Sequence, residues 1–72
     1  MKTSNISISK DRVAIELTTG KTVQFVIWDL EKNQHSSLIN QINTAFEICS
    51  TLDEIEKHLQ INGFDASLED IY

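Results

Sequence analysis

Val13-Ala14-Ile15-Glu16-Leu17-Thr18-Thr19-Gly20-Lys21-Thr22-Val23-Gln24-Phe25-Val26-Ile27 is the stretch whose reading decides the fold. Apolar and polar residues alternate on both sides of Gly20, the pattern of two half-buried strands joined by a turn. Two registers compete. A two-residue turn at Thr19-Gly20 sets Ile15 opposite Gln24 and Glu16 opposite Val23. A three-residue loop, Thr18-Thr19-Gly20, sets Ile15 opposite Val23 and Val13 opposite Phe25. That loop is a type I turn closed by a glycine in the left-handed conformation. Only the second register gathers the aliphatic side chains on one face, and a one-residue slip would turn them to solvent. The three-residue loop is therefore expected.

Towards the N-terminus, Ile6-Ser7-Ile8 continues the alternation. A tight turn at Lys10-Asp11 sets Ile8 opposite Val13 and Ile6 opposite Ile15, giving a three-stranded meander with one apolar face. The opposite face carries Arg12, Ala14, Glu16, Thr22, Gln24, Val26 and Trp28. Lys10 is expected across from Trp28 and Arg12 across from Val26, where a cation–π contact explains an outward tryptophan. Both outer strands of the meander are free edges without a proline.

Towards the C-terminus the period becomes helical. Leu38, Ile42, Ala45, Phe46 and Cys49 form a stripe at spacings of three and four, widened by Ile39 and Ile48. Asp29, Asn33 and Ser36 are candidate N-caps for this helix. Thr51-Leu52-Asp53-Glu54 is a capping box that opens a second helix, whose stripe is Leu52, Ile55 and Leu59. Asn62-Gly63 ends it as a left-handed C-cap, with Ile61 and Phe64 placed for the accompanying apolar contact. The tail from Ser67 reads as one more helical turn, with Phe64, Leu68 and Ile71 towards the core, in preference to a fourth strand. The expectation is an α+β fold: a three-stranded antiparallel β-meander followed by two α-helices packed on its apolar face (β-β-β-α-α), with a short C-terminal helical turn. One domain spans 1–72, with the meander in 1–28 and the helical half in 29–72.

Composition narrows the function classes. The chain has 72 residues and a formal charge of −5. It lacks the apolar run of roughly 18 residues that a membrane helix needs. The N-terminus shows no signal-peptide pattern, and the single Cys49 suits a reducing compartment, so a cytoplasmic location is expected. Charge is unevenly spread: residues 1–28 hold four cations against two acids, and residues 29–72 hold two cations against nine acids. Such runs are ordinarily solvated helix faces, and Asp53 and Glu54 also suit the N-terminal end of a helix dipole. A further reading is a docking face for a basic partner, with mimicry of nucleic-acid phosphate as a special case. Between Lys32 and Glu47 no residue is charged, which is either an ordinary amide-rich surface or an interface core.

Other chemistry is weakly represented. His35, Cys49 and His58 have no zinc-site spacing, and Cys49 lies on an apolar stripe in an acidic half, a poor setting for a thiolate. Asp65-Ala66-Ser67-Leu68-Glu69 opens like a calcium loop but lacks the sixth-position glycine. The two glycines build no phosphate loop. No enzyme, cofactor or metal is expected. The leading expectation is a non-enzymatic, regulatory or inhibitory protein-binding module that docks through its acidic helical half. Its contact residues would be Glu54, Glu56, Glu69, Asp70 and Tyr72, with Asn40 and Gln41 as a second surface and Trp28 as an aromatic anchor. The alternative is a homodimer built on the uncharged helix face or a strand edge. Third comes nucleic-acid binding through Lys10, Arg12, Lys21 and Trp28, opposed by the overall charge.

Overall fold

The computed structural model describes residues 2–69. Its elements are β1 (Thr3–Ser9), β2 (Arg12–Leu17), β3 (Thr22–Trp28), a 3-10 turn (Lys32–Gln34), α1 (His35–Ile48), α2 (Leu52–Ile61) and β4 (Asp65–Glu69). The fold is α+β: a meander β1-β2-β3 followed by two helices, with β4 added beside β3 in an antiparallel sheet ordered β1-β2-β3-β4.

The meander has the expected registers. Ile6 pairs with Ile15 and Ile8 with Val13. Ile15 pairs with Val23 and Val13 with Phe25 around the three-residue loop, in which Gly20 sits at φ +89°. The Leu17 N–H donates to the Lys21 carbonyl at 2.8 Å and closes that loop. The turn at Lys10-Asp11 puts Lys10 at φ +54°, a left-handed position costly for a side chain with a Cβ. Ser4 is the extra residue of a bulge near the start of β1.

The inner sheet face and the two helix stripes form one core. Val13, Ile15, Phe25, Leu38, Ile42, Ala45, Ile55, Leu59 and Ala66 are fully buried. Ile48 departs from the expected stripe: in the last turn of α1 it is 66% exposed. None of Asp29, Asn33 and Ser36 caps α1. The Gln34 N–H donates to the Glu31 carbonyl and the Glu31 N–H to Gln34 Oε1, both at 3.0 Å. These bonds close the 3-10 turn, which leads straight into α1 from Gln34 without a side-chain cap.

α2 begins at the expected cap, where Thr51 Oγ1 accepts the Glu54 N–H at 3.2 Å. The return arm of the box lands one residue early, on the Ser50 N–H, which Glu54 Oε2 accepts at 3.2 Å. The C-cap is a Schellman motif: the Phe64 N–H donates to Leu59 O at 3.0 Å and the Gly63 N–H to Gln60 O at 3.2 Å, with Gly63 at φ +93°. Its apolar partners are Phe64 and Leu59, both buried. Ile61 is 84% exposed and takes no part, a correction to the expected contact.

The expected C-terminal helical turn is replaced by β4. Phe64, Ala66 and Leu68 fit a period of two as well as Phe64 and Leu68 fit a helix. A five-residue segment cannot sustain a helix by itself, whereas pairing with β3 satisfies its backbone and seats Ala66 and Leu68 over the core. The outer strands of the sheet are consequently β1 and β4, with β3 internal rather than an edge. Among the described residues no helix is long and apolar enough to cross a membrane.

Candidate functional site

The uneven charge of the sequence becomes a spatial polarity. β1, β2 and their turns lie at one side of the sheet, and residues 2–21 carry Lys2, Lys10, Arg12 and Lys21 against Asp11 and Glu16. At the other side α2 packs against β4, and residues 52–69 carry Asp53, Glu54, Glu56, Asp65 and Glu69 against Lys57. One flank is therefore net positive and the opposite flank net negative. Sequence order produces this because β4 adds to β3 rather than to β1.

The acids of the negative flank differ in what they do. Asp53, Glu54 and Asp65 are exposed. Glu54 also holds the N-terminus of α2 through Ser50. Glu56 is half-buried, and its Oε2 accepts the Leu68 N–H at 2.6 Å, while Gln60 Nε2, one turn later, donates to Ala66 O at 2.9 Å. These two side chains fasten α2 to β4. Glu69 points to the outer sheet face, away from the helices, and pairs with the Arg12 guanidinium. Its hydrogen bond and negative charge hold the Arg12 pKa above the ordinary guanidinium value. Arg12 lies on β2 opposite Val26 of β3, and Glu69 lies on β4, so the pair spans β3 diagonally. Val26 beneath it is only 8% exposed despite facing outward.

The structure thus separates the expected contact residues. Glu54 and Glu56 belong to α2, and Glu69 belongs to the outer sheet surface. Trp28 is also on the outer surface, 52% exposed at the end of β3 and opposite Asp65. The Arg12 guanidinium is committed to Glu69. Gln41 bridges the helices, with its Oε1 3.1 Å from His58 Nε2. Asn40 is exposed on α1, and its carbonyl accepts the Thr44 hydroxyl at 2.9 Å. Asp70 and Tyr72 lie outside the described residues.

His35 opens α1, Cys49 caps its C-terminus half-buried, and His58 is on α2. Among the described residues no three His, Cys, Asp or Glu side chains are grouped to hold one metal ion. A cleft lined by Lys10, Asp11, Asp29, Leu30, Lys32 and His35 opens between the first turn and the approach to α1. Lys10 and Asp29, the two described non-glycine residues with positive φ, both border it. Opposite charges alternate around its wall, which suits no single class of ion.

Sequence reasoning missed the Glu56 and Gln60 clasp. A signal existed: a carboxylate and an amide at i and i+4 on the edge of an amphipathic helix, followed after Asn62-Gly63 by alternating apolar residues. No protein-family model matches the chain, and neither a curated protein nor a solved structure matches it.

Proposed function

We propose that this chain is a non-enzymatic protein-binding module, regulatory or inhibitory, whose α2–β4 flank docks on a basic surface of another protein. The observation that carries the reading is the segregation of charge to opposite sides of a small sheet, with Asp53, Glu54 and Asp65 exposed on the acidic side. Such a polarity orients an approaching cationic surface before contact and raises the association rate. Glu56 contributes to the field while its oxygen holds β4, and the charge of Glu69 is offset by Arg12. Recognition of nucleic acid through the outer sheet face has less support, because Arg12 is neutralised there by Glu69.

The test uses Asp53 and Asp65, exposed acids to which the fold gives no hydrogen bond or ion pair among the described residues. A tagged chain and its Asp53→Lys/Asp65→Lys variant are used to capture partners from a host lysate, with washes at about 50 and about 500 mM salt, where the screening length shortens from roughly 14 to 4 Å. A basic protein that is held at low salt, released at high salt and not held by the variant is the expected result. A catch that survives both changes would show that the acidic flank is not the contact.

A further inference from the structure

Asn62-Gly63 ends α2, and the same two residues carry a reactive arrangement. The side-chain amide of an asparagine and the backbone nitrogen of the next residue can close a five-membered ring. A following glycine leaves that nitrogen uncrowded, because it has no Cβ. The other asparagines precede bulkier residues: Asn5 precedes Ile6, Asn33 precedes Gln34, Asn40 precedes Gln41 and Asn43 precedes Thr44. Asn62 and Gly63 are both exposed, so water and hydroxide reach them.

The native cap keeps the reacting atoms apart. Asn62 stands at ψ 13°, so the Gly63 nitrogen nearly eclipses the backbone nitrogen of Asn62 itself. The Asn62 Cβ then lies about a third of a turn away around the Cα–C bond, whereas the ring needs Cβ and the Gly63 nitrogen eclipsed. Both reacting groups are also engaged. The Gly63 N–H donates to Gln60 O at 3.2 Å, and Asn62 Nδ2 donates to His58 O at 2.7 Å. Turning ψ to the closing angle therefore requires the cap to open. These bonds lie at an exposed helix end, the part of a helix that frays first.

We propose that Asn62 is a site of spontaneous deamidation, gated by opening of the α2 C-cap. In the opened chain a hydroxide ion removes the Gly63 N–H proton, and the nitrogen electron pair attacks Asn62 Cγ. The Cγ–Nδ2 bond breaks, and the amide nitrogen leaves as ammonia after taking up a proton. Water then adds to one of the two carbonyls of the cyclic imide and breaks its bond to the Gly63 nitrogen. Hydrolysis at Cγ leaves an aspartate. Hydrolysis at the main-chain carbonyl leaves an isoaspartyl linkage that runs through Cβ and Cγ. One water is consumed and one ammonia released.

Either product spoils the cap. An aspartate cannot donate to the His58 carbonyl, and it puts a negative charge at the negative end of the α2 dipole. An isoaspartyl linkage lengthens the main chain by one atom, so the Gly63 and Phe64 N–H groups no longer match the Gln60 and Leu59 carbonyls. Phe64 is buried and leads directly into β4, so the change reaches the strand that Glu56 and Gln60 fasten to α2. Deamidation is thus a one-way loosening of the α2–β4 flank, whatever that flank binds.

The full chain is incubated in warm, mildly alkaline buffer, with and without enough urea to unfold it. Peptide mapping by mass spectrometry follows the amide-to-acid mass gain at each asparagine, and chromatography separates the aspartyl and isoaspartyl forms. In urea Asn62 should react well before Asn5, Asn33, Asn40 and Asn43. Without urea it should react at least about tenfold more slowly, the ratio expected of a cap that is open less than a tenth of the time. Asn62→Asp installs one product directly and should speed amide exchange at Gly63 and Phe64 about fivefold. Loss at Asn62 no faster than at the other asparagines in urea would overturn the site. Equal rates in the folded and unfolded chain, or unchanged exchange in Asn62→Asp, would overturn the gating by the cap.

Discussion

Replacing Glu56 by alanine should detach β4 from α2 before it disturbs anything else. In the native fold Glu56 Oε2 accepts the Leu68 N–H at 2.6 Å from a half-buried position. A hydrogen bond to a charged group contributes about 1.5–3 kcal/mol, and a donor left without its acceptor loses that and its hydration. Leu68 is itself only half-buried, so water recovers part of the loss and the expected cost is about 1–2 kcal/mol. For a chain of this size that is roughly a 1 M fall in the urea midpoint at an unchanged slope. Glu56→Gln retains an acceptor without the charge and should cost about half as much. Amide exchange localises the effect: the Leu68 N–H should exchange roughly tenfold faster in Glu56→Ala, while that of Ile15, in the middle of the sheet, moves only with global stability. The reasoning fails if the midpoint shifts no more than for an ordinary surface substitution, about 0.5 kcal/mol, and Leu68 exchange is unchanged.

Other substitutions probe the remaining joints of the fold, each by urea or thermal unfolding. Lys10→Gly should stabilise by about 1 kcal/mol by relieving the left-handed backbone at φ +54°; a loss of stability would mean that the Lys10 side chain contributes more than its conformation costs. Thr51→Ala removes the acceptor of the Glu54 N–H and should lower stability by about 1 kcal/mol. Phe25→Ala empties the centre of the core at a fully buried site and should cost about 3–5 kcal/mol, comparable with the whole stability of a domain this small, so little folded protein should remain. Ile61→Lys should be neutral within about 0.5 kcal/mol because the side chain is 84% exposed; a larger loss would restore Ile61 to the C-cap contact.

The meander was legible because two constraints coincide there. Period-two alternation selects the strands, and the demand that Val13, Ile15, Val23 and Phe25 share a face selects one loop length. The start of α2 was legible for a similar local reason, since Thr51 and Glu54 cap whatever helix follows them. The tail was not legible, because Phe64, Ala66 and Leu68 suit a strand while Phe64, Leu68 and Ile71 suit a helix. Among the candidate contact residues, composition identified the acids but not their duties. Nothing local distinguishes Glu54, at a helix cap, from Glu56, which clasps β4, or from Glu69, which pairs with Arg12 on the other side of the sheet.

By itself the sequence determined what depends on neighbours along the chain: strand period, turn length, the Thr51 cap of α2, the Asn62-Gly63 stop and the uneven charge. These rest on steric and hydrogen-bond preferences spanning a few residues. Only the tertiary structure decided what depends on distant partners. The open edge of β3 turned the tail into a strand. β4 then carried the late acids to the flank opposite the lysines of the meander. The packing of α2 protected one sheet edge and left the other free. Backbone groups at a sheet edge must be satisfied by something, and which residues do so is settled by which segments meet in space.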